Sequence, residues 1–161
     1  MGGRGSTSSL ARLQKYGTEF KEVKTTAYGG KLHMKDKRIL FIKTREKHNK
    51  TPYDSMMPNR IYVLINSRDT KRKVKSITFT DKMGFAYKFV DVNVAHYNIG
   101  KGKLGHTHMT YDRKEPREMN RSERKLVRKV LAAYHRPKYI KKRGEIKKWL
   151  YYMKNFPLGK T

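Results

Sequence analysis

The chain has 161 residues and carries 40 Lys or Arg against 13 Asp or Glu, a formal net charge of +27. Charge of that size repels itself unless a polyanion neutralises it, and nucleic acid is the usual polyanion, because each neutralised phosphate releases a counterion; an anionic membrane surface is the rival. There is no cysteine, which excludes disulfides, thiolate nucleophiles and thiolate-bound zinc, and no run of about 18 apolar residues that would span a bilayer.

The length fits one domain with basic extensions. Residues 1–9, MGGRGSTSS, are small and polar and are expected to stay flexible. They contain no apolar core of a secretory signal, and the absence of cysteine fits a cytosolic setting. The domain itself is expected over 10–135. Leu10, Leu13, Tyr16 and Phe20 suggest one short helix within Leu10–Tyr28, broken by Gly29-Gly30.

From Lys31 onward the signals are strand-like. Arg38–Thr44 is rich in Ile, Leu and Phe. TPYDSMMPNR, Thr51–Arg60, reads as a long loop. Arg60–Asn66 alternates, with Ile61, Val63 and Ile65 on one face and Tyr62 and Leu64 on the other. Lys73–Asp81 is a short β run, Asp81–Gly84 a hairpin turn, and Phe85–Val92 the returning strand. HTHMTYD is the last candidate. Four or five antiparallel strands are expected between Arg38 and Tyr111.

The pattern changes at Pro116. Asn120 with Glu123 three residues on forms a capping box. Leu126, Val127, Val130, Leu131 and Tyr134 form an apolar stripe, with Arg121, Arg124, Lys125 and Arg128 on the opposite face. That basic face is either solvated or a phosphate contact. Pro137 ends the helix. After Gly144 a second amphipathic segment puts Ile146, Trp149, Leu150 and Met153 on one face. The fold class is therefore α+β, a four- to five-stranded antiparallel sheet packed by helices, with a basic helical extension over 136–161. The extension holds nine Lys or Arg and one Glu, among them Lys141, Lys142, Arg143, Lys147 and Lys148, interleaved with aromatics. Such a mixture suits single-stranded nucleic acid, with phosphates on cations and bases on rings. Trp149 is expected to pack onto the domain. The apolar helix faces could also serve a homo-oligomer.

One stretch concentrates chemistry. GKGKLGHTHMTYD puts Lys101 and Lys103 in a glycine-rich loop before His106 and His108. Residues two apart on a strand face the same side, so the two imidazoles project together and Thr107 points away. His96 lies across the loop. Such a set could cleave RNA without a metal, one histidine taking the 2′-hydroxyl proton and another protonating the leaving oxygen, since an unperturbed imidazole titrates near working pH. The lysines would stabilise the charged transition state. The same histidines could instead bind a divalent metal, with His96 as third ligand, or have no special role. His33, His48 and His135 read as surface residues. Arg60 either binds phosphate or flanks its strand.

Taken together, MGGRGS, TPYDSMMPNRIYVLIN, KSITFTDKMGFAYKFVDV and HTHMTYD followed by NRSERKLVRKVL resemble the small proteins of Gram-positive bacteriophages grouped as barnase–EndoU–colicin–RelE-like predicted nucleases. The likeness spans roughly Ile39–Arg136. It implies an α+β domain with a helix on an antiparallel sheet. It also implies metal-independent RNA cleavage without a cofactor, with His96, His106 and His108 matching the family's histidines and Arg60 its strand-opening basic residue. The lysine-rich loop before His106 and the long tail beyond Arg136 depart from that pattern. Such proteins also resemble minor virion components, which implies phage capsid proteins as partners and a place in the host cytoplasm and the virion. A ribonuclease acting on RNA and a non-catalytic protein that coats and protects DNA are the two functions these residues support.

Overall fold

The computed structural model describes residues 19–45, 57–66, 74–95, 104–109, 116–137 and 143–154. Its centre is a six-stranded sheet in chain order: β1 (Phe20–Glu22), β2 (Ile39–Thr44), β3 (Ile61–Ile65), β4 (Val74–Thr80), β5 (Ala86–Ala95) and β6 (Leu104–Met109). Two helices follow, α1 (Arg121–Tyr134) and α2 (Arg143–Lys154). The architecture is α+β with a mostly antiparallel sheet.

Two expectations about the sheet need correction. It has six strands, and the added one is β1, where a helix was expected to run through Phe20. Phe20 is buried in the sheet, opposite Thr44 of β2. The second correction is direction, because β2 and β3 run parallel, Ile39 opposite Ile61 and Lys43 opposite Ile65. The connection over 45–60 is long enough for the crossover of about a dozen residues that parallel neighbours require.

Alternation assigns the two faces of the sheet. Ile61, Val63 and Ile65 join Ile39, Phe41, Ile77 and Val90 on the face that α1 covers. Tyr62 and Leu64 join Phe20 and Ile42 on the other face. β3 is buried on both sides, which explains its unbroken apolar composition. The irregularity between Leu64 and Ile65 pairs Leu64 with Ser76 but Ile65 with Val74. Lys75 is the extra residue, and the bulge lets Val74 and Ile77 face the same side despite their spacing.

α1 forms for the reasons its sequence states. The Asn120 side chain accepts from the Glu123 amide at 2.9 Å, and the Glu123 carboxylate accepts from the Asn120 amide at 2.9 Å. Val127, Val130, Leu131 and Tyr134 are buried against the sheet, with Tyr134 stacked on Phe41. Burying each such side chain contributes about 1.5–3 kcal/mol. That stripe is covered, so it is not the face a second copy would use. At the far end the Trp149 indole of α2 donates to the Ala132 carbonyl at 2.8 Å, so Trp149 does pack on α1. Leu150, expected on the same face as Trp149, is 41% exposed. His135 is also corrected: it is buried, as the C-cap of α1.

The turns follow their chemistry. Asp81 Oδ1 accepts from the amides of Met83 and Phe85, and the Gly84 amide donates to the Asp81 carbonyl. Gly84 sits at φ +86°, a left-handed conformation that costs other residues about 1–2 kcal/mol. Gly84→Ala is therefore expected to lower unfolding free energy by about that amount, read from urea denaturation midpoints. An unchanged midpoint would show that the turn does not depend on glycine.

Candidate functional site

Strand register builds two polar constellations on opposite faces of the β5–β6 half of the sheet. β6 pairs with β5 so that His106 lies opposite Asp91, Thr107 opposite Val90 and His108 opposite Phe89. His106 and His108 thus share a face, as their spacing predicts. Their rings meet edge to face with centroids 4.7 Å apart, and His108 tilts against Phe89 at 5.8 Å. Asp91 Oδ2 lies 3.9 Å from His106 Nε2, an ion-pair distance longer than a hydrogen bond. His106 is 2% exposed and Asp91 15%. His108 is half-buried.

Thr107 points the other way, into a second cluster beneath α1. Its hydroxyl donates to Glu123 Oε1 at 3.0 Å. Arg117 forks onto both oxygens of the same carboxylate, at 2.9 and 3.0 Å, and Lys88 Nζ lies 3.2 Å from Oε2. Glu123 is 1% exposed and the Lys88 side chain 17%. Burial alone would raise the Glu123 carboxyl. The hydrogen bonds from Arg117, the Asn120 amide and Lys88 outweigh it and hold the group at about 2. Lys88 also lies over the Phe79 ring, 4.3 Å from its centroid. Arg117 pairs with Thr107 through both backbone groups, so this ion cluster ties β5, β6, the 117 segment and α1 together. Sequence reading recognised Glu123 only as a helix cap and did not find Lys88, Arg117 or Asp91. Register alone brings them to Thr107 and His106.

The other predicted site residues fall into four groups. His96, Lys101, Lys103, Lys141 and Lys142 lie outside the described residues. Arg143, Lys147 and Lys148 are on α2, and Lys147 is exposed. Arg60 opens β3, but β4 and β5 stand between it and β6. Three strand spacings, about 14 Å, separate it from the histidines' strand. Its guanidinium donates to the carbonyls of Pro58 and Asn59, while Thr80 holds its backbone amide. The geometry therefore joins Arg60 to its own loop and not to the histidine pair.

On α1, Arg121 and Lys125 are exposed, whereas Arg124 and Arg128 are half-buried. Arg124 donates to the Met119 carbonyl. Lys125, Arg128 and Lys129 flank a groove of about 620 Å³ between α1 and the segment around Lys35. Lys129 and Lys35 were not singled out from sequence, because nothing local marks one lysine among so many.

Chemically the histidine face and the groove differ. A general base must come within about 2.6–3.2 Å of the proton it takes, and His106 is buried away from solvent. Among the described residues no group of three or more His, Asp or Glu is disposed to hold a metal ion. Likewise, among the described residues, no helix is long and apolar enough to cross a membrane. No protein-family model, curated protein or solved structure matches the chain.

Proposed function

We propose that the protein binds nucleic acid through the cationic side formed by α1 and the segment around Lys35. The observation that carries this reading is the gathering of Lys35, Lys125, Arg128 and Lys129 around one groove in a chain of net charge +27. Among the described residues lining it, the one carboxylate, Asp36, is already forked to Arg38 at 2.7 Å and leaves the lysines' charge uncancelled. Each phosphate neutralised there releases counterions and adds affinity. A phage protein that coats and protects DNA, beside capsid proteins, needs this charge and no active site.

A second reading is metal-independent RNA cleavage, in line with the nuclease resemblance. What favours it is the Asp91, His106 and His108 set, a carboxylate 3.9 Å from one of two adjoining imidazoles. Asp91 would orient and charge-stabilise His106, and the two imidazoles would serve as base and acid. The burial of His106 requires that face to open before RNA could reach it.

Labelled RNA and DNA incubated with the pure protein, with and without EDTA, separate the readings. The binding reading expects retarded and intact strands of both kinds. EDTA-resistant RNA cleavage, reduced at least about 10²-fold in His106→Ala/His108→Ala, would establish catalysis instead. Circular dichroism of the variant checks that it still folds.

A further inference from the structure

The groove beside α1 combines two properties that a plain phosphate contact does not need. Its rim is cationic, with Lys35, Lys125, Arg128 and Lys129 around the opening. Its floor is apolar, made of Met34, Ile39, Leu126 and Ala133, which continue the core under α1. The volume of about 620 Å³ lies within the range of about 300–1,000 Å³ usual for clefts that hold small organic groups.

A third observation concerns Arg128. Its Nε is buried and has no hydrogen-bond partner in the structure. A buried donor left unsatisfied is unfavourable, and Arg128 itself lines the groove, where an anionic oxygen meeting its guanidinium would draw that donor into a hydrogen-bonded arrangement. Lys125 and Lys129 are exposed, four residues apart on one side of the helix, so both can follow the same strand of phosphates.

Duplex nucleic acid offers its outer phosphates but keeps its base faces stacked inside. It would engage the rim and leave the floor untouched. An unpaired nucleotide presents both a phosphate and an apolar base face; proteins for single strands pair a basic track with rings on which bases stack, and here the aliphatic floor would take that face by burial. Resting on the nucleic-acid reading above, we infer that this groove holds an unpaired nucleotide of a single strand, its base on the Met34, Leu126 and Ala133 floor and its flanking phosphates on Lys125, Arg128 and Lys129.

The test uses the full chain and fluorescence anisotropy with three labelled probes of equal length: a single-stranded oligothymidylate, an abasic strand with the same phosphates, and a duplex. The single strand is expected to bind several-fold tighter than the abasic strand, through burial of a base face on the apolar floor. In Lys125→Glu/Lys129→Glu, which alters two exposed side chains, single-strand affinity should drop about tenfold or more, and the gap between the base-bearing and abasic probes should shrink. Equal affinity for single and abasic strands, or a base preference that survives the double reversal, overturns the inference and leaves nucleic-acid binding standing. Absence of binding to all three probes overturns both.

Discussion

Glu123→Ala is expected to destabilise the protein by about 3–5 kcal/mol, the range found when one partner of a buried ion cluster is removed. The carboxylate is 1% exposed, and Thr107, Arg117, Lys88 and the Asn120 amide all direct donors at it. Without it, Lys88 keeps a largely buried charge with no anion beside it among the described residues. The reciprocal half of the capping box, the carboxylate on the Asn120 amide, is lost at the same time, while the Asn120 side chain still caps the residue-123 amide. Glu123→Gln should cost less, because an amide oxygen can still accept from Thr107 and Asn120, but it removes the negative charge beside Lys88 and Arg117. Urea denaturation of the three proteins measures this. A Glu123→Ala change within about 0.5 kcal/mol of the parent, the usual range for surface substitutions, would mean that α1 and β6 do not depend on this cluster.

The same carboxylate predicts an acid dependence. Its folded value of about 2 lies below the ordinary 4.5. A depressed value means the stabilisation is complete above the unfolded value and is lost as pH falls through the folded one. The window therefore runs from about pH 5 down to about pH 2, and the span is worth about 3 kcal/mol. Other carboxylates titrate there too, so the quantity to follow is the stability difference between parent and Glu123→Gln. It should narrow as pH falls across that window.

The second large effect concerns binding. Affinity for DNA or RNA is expected to fall by about 10²-fold or more between roughly 50 and 200 mM salt, as about four or five neutralised phosphates require. On the proposed reading, the exposed residues Arg121, Lys125 and Lys129 along one side of α1 are among the contacts. Neutralising any one should reduce the slope of log affinity against log salt by about one, for all sequences alike. A flat salt profile would sink the phosphate-binding reading, whatever the charge of the chain.

The two polar clusters on β6 bear on how the histidines are understood. His106 and His108 adjoin as their spacing requires, and Asp91 stands beside His106. The pair is nonetheless set into a buried sheet face, opposite the side that carries α1 and the cationic groove. A nucleic acid bound along α1 would therefore not lie against these imidazoles. Binding and cleavage, if both occur, use different faces of the sheet.

Much of this was legible in short stretches. The capping box at Asn120 and Glu123, the stripe from Val127 to Tyr134, the alternation of Ile61 to Ile65 and the Asp81–Gly84 turn each depend on residues within one or two turns of each other. Their geometry follows from local periodicity and backbone preference, so each reads correctly from its own letters. The net charge of +27 likewise points to a polyanion without any structure, and the proposed function rests on that expectation. What those letters could not specify was pairing. Nothing within Ile39–Thr44 or Ile61–Ile65 states that the two strands run parallel, and Phe20 sits as well on a helical stripe as on an edge strand. The positions of Lys88, Asp91 and Arg117 beside Glu123 and His106, and of Lys35 across from Lys129, arise from contacts between residues far apart in the chain. Those contacts are selected by burying two sheet faces at once, a condition that belongs to the whole fold and to no single segment of it.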